Sequence, residues 1–473
     1  MYYLRLFWSR HPVQAKIVGQ EVYIVQGPEN IQPLLRQRAV SPFIAHAAFL
    51  HHVFGLPSSA AKLYLEDNSG ESAVPDSDSR VADKNRVNHL TRNAFNRLLS
   101  GPGLAPLSKK FESNLTARIL NANIGRQWTK WDDFMDFFQT DVTSAILDSM
   151  SGPFLLKNHP GFTKDLWAVD HEVTSLMFLP RLFASRVTVA RNNGLASIRS
   201  WHSWARANFD SSSIDAEGDD PYWGTKFFRE MNSIFSAMDG FDEGAIASEI
   251  FAFLWGANTN TVISTFWASL EVSKDPELLE QVRSEAQACI ISQTESSLRF
   301  DIDRLLQQPV MQAVFSETLR LRINGLMVRY PSKGDLVIKD WVLPKNKFII
   351  SSMTPGHMDP DVWCSGSAES HPVEEFWPGR FLQSSEQGKL FTFSMDRAKG
   401  HWMPFGGGHF PCPGRHLAKL TSILTMALLT TLYDCEPLVG EKDMKMSSRN
   451  FGFGALGPAG KIPVRIRRRG AEV

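Results

Sequence analysis

Apolar residues recur every three to four positions from about Leu90 to Arg320 and again from Leu417 to Leu432, the spacing that gives a helix one buried face. Two stretches differ. VYIVQGPENIQPLLRQ (Val22 to Gln37) reads as a strand, a turn at Gly27-Pro28 and a helix that starts there. DLVIKDWVLPKNKFII (Asp335 to Ile350) alternates like short strands in succession. Three polar segments rich in Ser, Asp and Gly read as mobile loops: Glu66 to Arg80, Asn208 to Pro221 and Ser365 to Ser370. None separates halves of different composition, and there is no internal repeat. The pattern predicts a mainly α fold with small β-sheets near both ends, as one domain over residues 1–473.

The run IFAFLWGANTNTVISTFWASL, Ile250 to Leu270, carries no charge and is long enough to suggest a membrane span. Its middle reads Asn258-Thr259-Asn260-Thr261, which is costly in lipid. The better reading is one helix from Glu243 to Val272, about 45 Å long at 1.5 Å per residue. It would cross the middle of a domain, with a polar break where something binds. The N-terminal MYYLRLFWSR is broken by Arg5 and Arg10 and reads as neither signal peptide nor full membrane anchor.

Composition narrows the function. The 473 residues hold 50 Lys plus Arg and 50 Asp plus Glu, a balance that argues against a broad nucleic-acid footprint. The four cysteines, Cys289, Cys364, Cys412 and Cys435, form no C-x-x-C pair, and no H-E-x-x-H is present. The usual zinc signatures are therefore missing, and so sparse a cysteine content suits a reducing compartment. The single sequon at Asn114-Leu115-Thr116 reads as chance.

One cysteine stands in an unusual place. FGGGHFPCPGR (Phe405 to Arg415) sets Cys412 between Pro411 and Pro413, after three glycines and just before a helical run. Glycine permits positive φ and close approach, and proline fixes the backbone. A helix start favours a thiolate. A thiolate in a rigid cup is a metal ligand or a nucleophile; a buried free cysteine is the commoner fate of a lone Cys. A nucleophile needs a base, and His409 lies too close in a stiff loop. A lone thiolate suits a metal already held on its other sides, as haem iron is.

At this point the residues carry a resemblance. Phe405, Gly408, Cys412 and Gly414 fit the F-x-x-G-x-x-x-C-x-G signature of cytochromes P450. Glu317 to Arg320 resembles the family's E-x-x-R helix. Phe376 to Phe381 is similar to its F-x-P-x-R-F segment, and Ala257 to Thr261 to the oxygen-binding part of its central helix. The resemblance implies haem b ligated by Cys412, with Phe405, Gly406, His409, Arg329 and Ala257 around it. It implies a structural triad of Glu317, Arg320 and Arg380. Two departures stand out. Phe410 takes the place two before the cysteine where the family often has Arg or His, and His409 is offered as a substitute. The W-x-x-x-R of an early helix is missing, with Lys109 or Lys110 as stand-ins.

The resemblance also bears on the reaction. LWGANTNTVISTFW and FGFGALGP (Phe451 to Pro458) are similar to the branch holding sterol 7α- and 12α-hydroxylases and prostacyclin synthase, and the general style resembles fungal P450s of secondary metabolism. Where most members carry an acid and a threonine, this chain has Asn260 and Thr261. Asparagine orients water but does not exchange a proton as a carboxylic acid does. Retention of Thr261 favours a monooxygenase using O2 over an O2-independent isomerase or dehydratase. Family position implies that Leu326, Met327, Phe451 and Phe453 meet a lipophilic substrate. It implies electrons from an NADPH-cytochrome P450 reductase that docks near Lys399, His401, Arg415 and Lys419. The full-length protein is expected as a monomer at the cytosolic face of the endoplasmic reticulum. The terminal RIRRRG (Arg465 to Gly470) reads as a solvated tail.

Overall fold

A computed structural model describes residues 11–17, 19–37, 40–179, 185–294, 297–364, 368–384 and 391–470. The segment MYYLRLFWSR and the first half of Ser365 to Ser370 lie outside the described residues. Helices dominate, and the strands gather into small sheets.

The central helix runs from Glu243 to Lys274. Asp242 caps it, accepting the Ala245 N–H at 2.8 Å. It stops at Asp275-Pro276, because proline cannot continue it and Asp275 caps the next helix instead. It is apolar almost all round and so is buried on nearly every side. It packs against the helices Ser185–Asn208, Pro309–Arg322 and Arg415–Leu432. Among the described residues no helix is long and apolar enough to cross a membrane. The polar break at Asn258 to Thr261 accounts for that in the central helix.

The largest sheet has six strands. The hairpin Val13–Ile17 and Gln20–Ile24 is followed by Phe348–Ser352, which lies parallel to Gln20–Ile24. Next comes Ile323–Pro331, antiparallel, with Arg329 opposite Ile349 and Met327 opposite Ser351. Phe453–Ala455 closes that path with Phe453 opposite Gly325, and Val40–Ser41 also pairs with Ile323–Pro331. One strand thus carries Leu326, Met327 and Arg329, and its neighbour carries Phe453. The expected strand and helix after Val22 appear as Gln20–Ile24 and Pro28–Leu35.

One expectation needs correction, and two of the expected loops are fastened to the body of the fold. The terminal RIRRRG is not a tail. Val464–Arg468 is a strand between Tyr433–Pro437 and Thr129–Trp131. Arg467 pairs with Asp434 at 3.0 Å, Arg465 pairs with Glu436, and both guanidinium groups lie over the Trp128 ring. The segment after Glu66 is fastened by Arg86, which is buried and donates to the carbonyls of Ser72 and Ala73. The segment after Asn208 is held by the buried Asp219 and Asp220, which pair with Lys110 and Arg229.

Candidate active site

The cysteine loop is a closed turn. The Cys412 N–H donates to the Phe405 carbonyl at 2.8 Å, and the Gly406 N–H to Met403 at 3.0 Å. Gly406 and Gly408 have φ of +69° and +67°. At Gly408 a Cβ would stand 2.0 Å from the Leu35 carbonyl oxygen, so only glycine fits. The helix Arg415–Leu432 starts directly after this turn.

The Cys412 sulfur lies deep within the fold, yet the residue keeps open surface, as a residue lining an internal hollow does. Burial pushes its thiol pKa up, against the pull of the Gly414 N–H and Arg415. Burial thus works against the thiolate that the helix start and the backbone N–H groups favour. A raised thiol is a poor nucleophile, but a bound cation deprotonates it outright. His409 does not serve as its base, since its Nε2 turns to the Arg36 carbonyl at 3.2 Å. Among the described residues no three His, Cys, Asp or Glu stand together as a metal site. The donor set therefore suits a metal that arrives with its other ligands.

The loop is braced from behind. Arg320 grips Glu317 with two bonds, 2.7 and 2.8 Å, and Arg380 reaches Glu317 Oε1 at 3.2 Å. All three side chains are fully buried. Arg320 also donates to the His357 carbonyl at 2.9 Å, and His357 Nε2 accepts the Met403 N–H at 3.0 Å. A short chain of bonds thus runs from the triad to the first turn of the cysteine loop. Burial and the Arg320 charge hold His357 down to about 3, so its ring stays neutral and can accept.

Two arginines flank Phe410. Arg329 is 6% exposed, and burial pulls its pKa down to about 10. Its guanidinium lies 5.5 Å from the Phe410 ring centre and donates to the Val328 carbonyl. Arg92, on the helix Val87–Leu99, lies 4.7 Å from the same ring, pairs with Glu71 and donates to the His409 carbonyl. Sequence reading missed Arg92. The motif W-x-x-x-R is anchored on tryptophan, and here Asn88 takes that place four residues before Arg92. Neither Lys109 nor Lys110 stands in: Lys109 is exposed, and Lys110 pairs with Asp219 at 2.7 Å. A desolvated guanidinium calls for anions. The two arginines beside the cysteine loop fit the carboxylates of a haem.

The central helix opens on one stripe only. Gly256 is exposed in the middle of a buried helix, and Ala252, Ala257 and Asn260 are partly open. Residues four apart share a face, so this stripe lines a hollow. Thr261 adjoins it and is 6% exposed. Asn260 is committed elsewhere than expected: its Oδ1 accepts the Ala455 N–H at 2.7 Å. Phe453 stacks on Phe49 at 6.0 Å and meets Phe178 edge-on at 6.2 Å; Phe49 also meets Trp255 at 5.6 Å. Phe49 and Phe178 carry no motif, and only the fold reveals them. Leu326 packs where a side chain on Gly452 would collide. Met327 is buried near Gly406. Phe451 lies in the turn before Phe453, its N–H bonded to Ser448. Phe405 stacks on Phe315 at 6.4 Å behind the loop.

Of the four suggested docking cations, Lys399 and His401 have acidic neighbours, Asp396 and Asp359. Lys419 donates to Gln312, and Arg415 to the Cys412 carbonyl.

Comparison with known proteins agrees with this geometry. The family profile described as Cytochrome P450 matches residues 207–463. Cytochrome P450 monooxygenase efuG of Hormonema carpetanum is 30% identical, across 97% of this chain and 84% of its own. Cytochrome P450 monooxygenase fsoE of Humicola fuscoatra is 30% identical, across 97% of this chain and 81% of its own. The 7-alpha-hydroxycholest-4-en-3-one 12-alpha-hydroxylase of Homo sapiens is 28% identical, across 55% of this chain and 52% of its own.

Proposed function

The chain belongs to the cytochrome P450 family of haem-thiolate monooxygenases, and from that premise we propose that it hydroxylates, desaturates or oxidatively cyclises a lipophilic small molecule. The proposal takes O2 as oxidant and a separate NADPH-cytochrome P450 reductase as electron donor. It includes a monomer working at the cytosolic face of the endoplasmic reticulum. One observation carries the reading: the central helix opens as a single stripe beside Thr261, in a fold that holds Cys412 in a braced loop.

The haem, when bound, would supply the redox chemistry that activates O2. Cys412 would hold its iron through sulfur, and Arg92 and Arg329 would hold its carboxylates. Glu317, Arg320 and Arg380 keep the loop in place through His357. Thr261 holds a proton at its Oγ1 beside the open stripe. Asn260 does not exchange protons, because an amide cannot and its Oδ1 is already bonded. Phe49, Phe178 and Phe453 form an apolar wall that suits a lipophilic substrate. The face that meets the reductase is assigned to Lys399, His401, Arg415 and Lys419.

The test is turnover of a panel of lipophilic compounds by haem-loaded protein. Product that requires NADPH, reductase and O2 together supports the proposal; product formed without them contradicts it. Asn260 favours one second reading, an O2-independent isomerase or dehydratase, since that chemistry needs no proton-delivering acid on the central helix.

A further inference from the structure

Glu249 stands on the central helix seven residues before Gly256, two turns away on the same stripe. It is 3% exposed. Its Oε1 accepts the Tyr64 hydroxyl at 2.6 Å. Among the described residues no cation acts on it, and its second oxygen takes no hydrogen bond. A buried carboxylate is expensive unless several donors or a cation meet it. Here one hydroxyl serves.

Two further polar groups come to the same place from other helices. Tyr64, on Ser58–Glu66, is 2% exposed and faces the His46 ring edge-on at 5.8 Å. His46, on Phe43–Phe54, lies deep in the fold yet keeps part of its surface open, the same signature that Cys412 shows. Burial holds its ring neutral, with a pKa of about 4. Its nitrogens take no hydrogen bond among the described residues. Three residues along the same helix, Phe49 joins the aromatic wall with Trp255 and Phe453. The polar group therefore adjoins a lipophilic hollow, and one of its carboxylate oxygens has no donor.

We propose that Glu249, with Tyr64 and His46, is a specificity-determining subsite that hydrogen-bonds a hydroxyl at the end of the substrate remote from the carbon oxidised. The proposal rests on the reading that the open stripe lines the substrate cavity. A hydroxyl is the group that fits, because it donates to the free Glu249 oxygen and accepts from a neighbouring donor. A carboxylate would face Glu249 directly, and an ether would leave the oxygen unfilled. Glu249 and Asn260 are eleven residues apart, about 16 Å along the helix axis. The substrate is thus an extended or polycyclic lipid alcohol that spans that length.

The test measures binding rather than turnover, so it is separate from the oxidation reading. Haem-loaded protein is titrated calorimetrically above the Glu249 pKa of about 7, where the carboxylate only accepts, with alcohols and with their methyl ethers: cholesterol and 1-dodecanol, each beside its ether. At least one alcohol should bind about tenfold to a hundredfold tighter than its ether. Glu249→Leu should remove that preference and leave ether binding unchanged. Tyr64→Phe, a milder change, should reduce it. Wild-type protein that shows no alcohol preference in any pair overturns the proposal, as does a preference that survives Glu249→Leu. If the preference stands while no oxidised product forms, the subsite is upheld and the oxidation reading fails.

Discussion

Asn260 Oδ1 accepts the backbone N–H of Ala455 at 2.7 Å, joining the central helix to the late turn across 195 positions of sequence. The neighbouring Gly454 has no room for a side chain: a Cβ there would stand 2.1 Å from the same oxygen. The residue in the family's acid position thus fastens the cavity wall. Asn260→Ala would leave the Ala455 N–H unpaired and should cost about 1–3 kcal/mol. Asn260→Asp keeps an acceptor and should stay closer to wild type. Thermal unfolding of both variants checks the order.

The bonds from Glu317 through Arg320 and His357 to Met403 predict a coupled failure. Glu317→Ala leaves two buried guanidinium groups without their carboxylate and should cost about 3–5 kcal/mol. The loop bearing Cys412 should loosen with it. Haem content of the purified protein, measured against total protein, should fall steeply.

Arg329 and Arg92 predict a split between two readouts. Arg329→Leu removes a desolvated charge, so the haem-free protein should be no less stable. Haem affinity should fall about tenfold to a hundredfold, the worth of a charge-assisted bond. Arg92→Leu should act in the same direction. Transfer of haem to an acceptor protein measures the affinity.

Thr261→Ala should keep the thiolate haem spectrum and lower product per NADPH consumed by about tenfold or more. Unchanged coupling would remove Thr261 from proton delivery.

Much of this was legible in sequence because it is local. The helices announce themselves by spacing, and the cysteine loop by its glycines and prolines. What stayed hidden depends on distant partners. Asn260 shows its role only beside Ala455. Arg92 escaped because the motif is anchored on a tryptophan that Asn88 replaces. The terminal arginines looked like a tail, although Val464-Arg465-Ile466-Arg467 alternates as a strand should; their partners Glu436, Asp434 and Trp128 lie far away in sequence. Glu249 carries no local signal, since Tyr64 reaches it from 185 residues away.

Glu249 also predicts a pH effect. Burial raises its pKa from 4.5 to about 7, with only the Tyr64 hydroxyl opposing. The folded protein then holds this proton longer than the unfolded chain does. The group therefore lowers stability as pH rises from about 4.5 to 7, by about 3 kcal/mol in all. Glu249→Gln cannot titrate. Its melting temperature relative to wild type should rise across that window and level off above about pH 7.

The most direct measurement of the central claim uses isotopic oxygen. Haem-loaded protein is given the lipophilic panel with NADPH, reductase and 18O2, and in parallel the matching hydroperoxides with none of these. The account predicts 18O-labelled alcohols, or desaturated or cyclised products, in the first arm only. Products of unchanged mass in the second arm, with none in the first, would contradict it and make the enzyme an isomerase.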